Sequence, residues 1–172
     1  MGEGSKEESE KTSNNRETSK KRSSGHDMGI EFDFREEKSG LFGAVKRPVA
    51  KVTLINKDNK IPQILYVDSG ADITLVPRSV GEILDLDDPK PSEIIDIKGI
   101  GEKGVPIVLR SVTIQLVDIN INARIGWALI EDVPLLLGRE DFFKYFDIIF
   151  SKNKKTIFRY EKQYKTPMYN LS

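Results

Sequence analysis

The 172 residues contain no cysteine and a single histidine, His26. The first absence excludes disulfides, thiolate metal sites and a cysteine nucleophile. The second forces any Ser-His-Asp triad or histidine metal site through one residue. No run of 18 apolar residues occurs, so no transmembrane helix is expected. Net charge is lacking as well. Lys and Arg number 27, and so do Asp and Glu, so no single-sign field marks the whole chain for nucleic acid or anionic lipid. Apolar residues make up only 38% and charged residues 31%, so some segment dilutes the core.

That segment is Met1–Asp27, which has no Val, Ile, Leu or aromatic residue. Its six basic and six acidic residues cancel, and it has too little apolar surface to offset chain entropy. It lacks the apolar stretch of a signal peptide and is too acidic for a transit peptide. Residues 1–40 are therefore expected to be a disordered low-complexity tail, 41–165 a folded domain and 166–172 a short C-terminal tail. The protein is expected in the cytoplasm, with no cofactor, metal, nucleic acid or membrane partner. His26 falls in the tail, which argues against a catalytic role for it.

Beyond the tail the pattern has a period of two. Ile30, Phe32 and Phe34 alternate with acids and suggest a short edge strand. Val49–Ile55 alternates, and Asn56-Lys57-Asp58-Asn59 supplies a turn. Ile64-Leu65-Tyr66-Val67 and Leu135-Leu136-Leu137 read as strands buried on both faces. Ile94, Ile95 and Ile97 form another strand. Val112, Ile114 and Leu116 share one face of a long strand, and Ile121, Ala123, Ile125, Trp127 and Leu129 share one face of the next. Ser151–Lys155 reads as the turn of a terminal hairpin. Only two short helices fit, near Arg78–Leu84 and near Glu140–Phe146. The expected class is all-β, one small domain with a closed or orthogonally packed sheet and two short helices.

Several motifs fail on inspection. Gly99, Gly101 and Gly104 match G-x-G-x-x-G, but Pro106 and a β-branched strand follow where a dinucleotide site needs a helix. Asp68-x-Gly70-x-Asp72 lacks the third and twelfth ligands of a calcium loop. G-x-S-x-G around Ser69 fails at Val67 and Ala71. What remains is Val67-Asp68-Ser69-Gly70-Ala71-Asp72. An apolar strand ends and delivers an acid, a hydroxyl and a glycine in succession. An acid there is costly if unpaired, and the glycine permits a tight turn. An ordinary Asx turn has the same residues.

Its companions distinguish the two. Asp68-Ser69-Gly70-Ala71-Asp72 resembles the D-[ST]-G-A-[DE] catalytic loop of the retroviral-type (retropepsin-like) aspartic proteases. Thr74-Leu75-Val76 resembles the strand that follows it. Ile97-Lys98-Gly99-Ile100-Gly101 is similar to the glycine-rich flap. Leu135-Leu136-Leu137-Gly138-Arg139 is similar to the motif before the C-terminal helix, and Arg47-Pro48 stands where many members carry Arg-Pro. The blocks keep their order over roughly residues 47–160. Lys98 and the longer Glu102-Lys103-Gly104 segment depart from compact viral members.

The resemblance implies an aspartic endopeptidase with a small β-barrel, needing no cofactor. One D-[ST]-G per chain implies a homodimer acting on a polypeptide, with Asp68 from each subunit around one water. Two carboxyls about 3 Å apart share a proton, so the rate is expected to be bell-shaped in pH. It also implies that Ser69 bonds across the subunit loops, that Gly70 offers a carbonyl to substrate, and that Asp72 and Arg139 form a buried charge pair. Ala71, Leu75, Ile97, Pro134 and Leu136 are implied pocket residues, and Gly99, Ile100 and Gly101 the flap. The alternative is a non-catalytic dimeric peptide-binding or adaptor protein on the same fold.

Overall fold

Alternating β-branched residues favour pleated strands with one face in the core. The computed structural model describes residues 28–98, 104–152 and 154–160. Three short strands come first, β1 (Met28–Asp33), β2 (Arg35–Ser39) and β3 (Gly43–Arg47). They are followed by β4 (Val49–Asn56), β5 (Asn59–Val67) and β6 (Thr74–Val76), and then by the helix α1 (Arg78–Ile83). The chain continues through β7 (Ile95–Ile97), β8 (Val105–Leu116), β9 (Ile119–Ala128) and β10 (Leu136–Leu137). It closes with β11 (Asp147–Ser151) and β12 (Lys155–Tyr160).

The strands β4-β5-β10-β6-β9-β8 run in that order, and pairing of β4 with β8 closes them into a six-stranded barrel. β7 extends it beside β8. The pairs β5–β10 and β6–β9 are parallel, and the rest are antiparallel. Closure leaves fewer edges open to foreign strands. The interior is filled by Val52, Leu54, Leu65, Val67, Ile114, Ile121, Ile125 and Leu137. Trp127 closes one side of this core, and its indole N–H donates to the Arg78 carbonyl at 3.0 Å. Its ring lies so near α1 that a Cβ at Gly81 would stand 2.2 Å from it, so the helix docks only with glycine there.

A second sheet, β1-β12-β11, is packed on the barrel. Phe158 is fully buried in it, with edge-on contacts to Phe32, Phe142 and Phe146. Strand structure thus begins at Met28, ahead of the boundary expected at residue 41, because Ile30 and Phe32 have Phe158 to cover. Residues 1–27, with His26, lie outside the described residues.

Three expectations change. Ile64–Val67 is not covered on both faces. Leu65 and Val67 are buried, whereas Ile64 is 39% exposed and Tyr66 half-buried, because a barrel wall has one inner face. In Leu135–Leu137 only Leu137 is buried. The second helix is only a 3-10 turn, Phe143–Tyr145. Asp141 ahead of it stands at φ 63°, a left-handed conformation that no α-helix continues through. Arg78–Leu84 matches α1. No helix among the described residues is long and apolar enough to cross a membrane.

Candidate active site

Alternation along β5 points Leu65 and Val67 into the core and puts Tyr66 and Asp68 on the other face. The end of the strand is pinned on both sides. The Val67 N–H donates to the Pro48 carbonyl at 3.0 Å, and the Asp68 N–H to the Leu137 carbonyl at 3.2 Å. The chain then turns sharply. The Asp68 carboxylate accepts the Gly70 N–H at 2.8 Å, and its carbonyl accepts the Ala71 N–H at 3.2 Å. Asp68 is half-buried, and Ser69 and Gly70 are exposed. A carboxylate is therefore held open to solvent on a backbone that is itself fixed.

The loop is locked by the segment after β10. Arg139 N–H donates to the Ala71 carbonyl at 2.9 Å, and Glu140 N–H to the Asp72 carbonyl at 2.8 Å. Gly138 N–H donates to Oγ1 of Thr74, a fully buried side chain, at 3.1 Å. The two backbones cross so closely that a Cβ at Gly138 would stand 2.2 Å from the carbonyl carbon of Ile73. Glycine is required there by the crossing itself.

Arg139 reaches Asp72 at 3.0 Å, as the resemblance implied, but the pair is not buried. Its side chains are 53% and 78% exposed. A better shielded carboxylate, Asp141 at 17% exposed, belongs to a pair that the sequence did not suggest. Arg124 donates to Asp141 at 2.6 Å, the Arg124 N–H adds a bond at 3.2 Å, and Lys144 lies 3.6 Å away. The hydrogen bond from Arg124 pulls the Asp141 carboxyl down to about 2, and Asp141 holds Arg124 above its ordinary value. No local spacing signals a pair 17 residues apart on separate elements.

An apolar wall stands at the barrel strands beside the loop. Leu75, Ile107 and Ala128 are buried together, with Ile97, Val105, Val133 and Leu136 packed on them. Leu75 faces Leu136 across β6–β10, next to the strand that delivers Asp68. Of the five implied pocket residues, Leu75, Ile97 and Leu136 are brought together. Pro134 is exposed and Val133 packs in its stead, and Ala71 is half-buried in the loop, away from the cluster. Gly99, Ile100 and Gly101 lie outside the described residues, between the paired strands β7 and β8.

Tyr66 also escaped the sequence reading. Its hydroxyl donates to Glu37 and accepts from Arg35 at 2.5 Å, and the Arg35 guanidinium lies 5.1 Å from its ring centre. Burial, with the Glu37 carboxylate, raises the Tyr66 phenol, and the bond from Tyr66 lowers Glu37. No group of three or more His, Cys, Asp or Glu side chains placed to hold a metal occurs among the described residues.

One strand of the closed six-stranded barrel leads into Asp68-Ser69-Gly70, and the segment Leu136-Leu137-Gly138-Arg139 crosses the loop that follows, so an all-β fold brings these two sequence blocks together. Among solved structures the chain is similar to the EIAV protease complexed with the inhibitor HBY-793. The two share 25% identity over 63% of this chain and 92% of that one, with a TM-score of 0.42. It is also similar to a retropepsin-like aspartic protease from Rickettsia conorii, at 14% identity over 78% of this chain and 93% of that one, with a TM-score of 0.48. No family model and no curated protein matches the chain.

Proposed function

We propose that the protein is an aspartic endopeptidase assembled as a homodimer, in which Asp68 of each subunit faces the other around one water. A single chain supplies one Asp-Ser-Gly, so a two-carboxylate site needs a two-fold axis. One Asp68, ionised, takes a proton from the water as its oxygen attacks the peptide carbonyl carbon. The other, protonated, hydrogen-bonds the carbonyl oxygen as charge develops there. Collapse breaks the C–N bond, and the leaving nitrogen receives a proton from the pair. Leu75, Ile97 and Leu136 take apolar substrate side chains, and the exposed Ser69 hydroxyl bonds across the subunit loops. The Arg139–Asp72 pair braces the loop, and residues 99–101 close over the peptide as a flap. The observation that supports this reading is the setting of Asp68, a half-buried carboxylate on a strand end fixed by Pro48 and Leu137.

The test is incubation of an unstructured polypeptide with wild type and with Asp68→Asn, followed by mass spectrometry of fragments. The substitution keeps the shape and removes the base, so cleavage is expected to fall by roughly 10²–10⁴-fold with the fold intact. Equal cleavage by a folded Asp68→Asn protein would falsify the assignment.

A further inference from the structure

Side chains alternate along a strand, so Pro62, Ile64, Tyr66 and Asp68 follow one another on the outer face at β5. Pro62 and Ile64 are exposed, and both line a groove of about 740 Å³, a size within the range of ligand sites. Thr53 and Lys51 of β4 line it beside them, as the cross-strand partners of Pro62 and Ile64. Phe32 of β1 and Arg35 of β2 line it as well. Arg35 belongs to two places, because its guanidinium also donates to the Tyr66 hydroxyl at 2.5 Å. The groove thus adjoins the row that ends in Asp68, with Arg35 and Tyr66 at the junction. Ile64 lies about 13 Å along the strand from Asp68, and Pro62 about 20 Å. The charged side chains lining the groove, among the described residues, are Arg35 and Lys51. Glu37 already matches Arg35 at 2.7 Å. The exposed Lys51 ammonium has no side-chain partner among the described residues, and it stands next to Ile64.

We infer that this groove docks the polypeptide substrate itself, taking a segment about four to six residues from the scissile bond in which an acidic residue adjoins an apolar one. The inference rests on the endopeptidase reading above and adds to it the class of substrate. Continuity argues for the substrate as occupant. An extended chain held at Asp68 and running along this row advances about 3.3 Å per residue, so its fourth residue reaches Ile64 and its sixth reaches Pro62. Charge argues for the acid. Pro62, Ile64 and Phe32 offer apolar surface to one side chain, and the unpartnered Lys51 ammonium favours a carboxylate over a neutral or basic neighbour. Binding so far from the reacting carbonyl is the same in the ground state and the transition state. It therefore lowers KM and leaves kcat alone. Selection of the substrate then comes partly from a stretch outside the bond that is cut.

The test takes one bond cleaved in an unstructured polypeptide and places it in synthetic peptides. A short peptide reaches about three residues to either side of the bond, and a long one about eight, with glutamate beside leucine near the fifth. A second long peptide has glutamine for the glutamate. Wild type is expected to cut the long acidic peptide with a KM about tenfold below that of the other two, at equal kcat. The double variant Lys51→Glu, Ile64→Ser changes two exposed side chains and is expected to melt like wild type. It should lose the preference for the long acidic peptide and cut the short one as before. Binding is read separately, by fluorescence anisotropy of the labelled long peptide on Asp68→Asn protein, where adding the double variant should raise Kd by about tenfold. Equal KM for the three peptides on wild type, or a preference that survives in the double variant, overturns the docking site alone. Cleavage that Asp68→Asn leaves intact, together with peptide binding that the double variant weakens, supports the groove and sinks the Asp68 reading. A double variant that sediments as a weaker dimer and slows long and short peptides alike places a second copy in the groove, which also overturns the docking site.

Discussion

The loop from Asp68 to Asp72 is held on its inner side by a backbone crossing at Gly138 and on its outer side by the ion pair of Arg139 with Asp72. Both contacts come from adjacent residues of one segment, yet their surroundings differ completely. The inner contact has the fully buried Thr74 hydroxyl as acceptor and no room for a methyl group. The outer contact joins side chains that are 53% and 78% exposed. Water competes for the second and is excluded from the first, so the inner contact carries the positioning of Asp68. The lesson is that the charged residue of a conspicuous motif need not be the one that matters most to stability.

The largest effect is expected where the inner contact is broken sterically. Gly138→Ala drives a methyl into the Ile73 backbone, which cannot yield as a flexible side-chain end would. A loss of roughly 3 kcal/mol or more in denaturant unfolding is expected, with cleavage lost along with it. A variant of wild-type stability would mean that the two backbones are free to separate.

Thr74→Val probes the same contact by chemistry and leaves the shape nearly unchanged. It removes the acceptor of the Gly138 N–H and leaves a buried donor unpaired, at a cost of about 1–3 kcal/mol. Thr74→Ser keeps the hydroxyl and is expected to retain most of that stability. Equal losses in the two variants would point to packing by the Thr74 methyl.

The intermediate case is Asp141, which anchors Arg124 a few residues beyond Gly138. Its folded carboxyl sits at about 2, below its ordinary 3.8, chiefly through the Arg124 hydrogen bond. A lowered folded value stabilises above the ordinary value, and that contribution drains away as pH falls from about 4 towards 2. Melting temperature measured across that window should therefore fall less steeply in Asp141→Asn than in wild type. Asn also tolerates the left-handed backbone at this position, so the comparison isolates charge. Identical slopes would show that Asp141 does not titrate with folding.

Arg139→Ala is expected to do least. In dilute protein, its loss should shift melting by about a degree, as an exposed pair contributes about 0–1 kcal/mol. A fall of several degrees that develops only at concentrations where dimers form would mean that a second copy covers the pair, and the contrast between inner and outer contact would narrow.

Much of this molecule was legible from near neighbours in the chain. The turn at Asn56–Asn59, the faces of Val112–Leu116 and Ile121–Trp127, the helix at Arg78 and the strand ending in Asp68 all follow from period and turn chemistry, which act over a few residues. The same local rules overreached at Ile64–Val67, because an apolar run does not say how many of its faces are covered. They overreached again at Glu140–Phe146, where three phenylalanines share a core around Phe158 without sharing a helix. The sequence by itself thus determined the all-β class, the order of the blocks and the residue that carries the candidate chemistry. Only the tertiary structure decided that Gly138 must be bare against Ile73, that Gly81 must be bare against Trp127, that Arg124 finds Asp141, and that Tyr66 binds Arg35 and Glu37. Those contacts join residues 17 to 65 positions apart, by the numbering of the chain. They depend on which strands cross and in what register, and no local repeat encodes a meeting between backbones that come together only when the barrel closes.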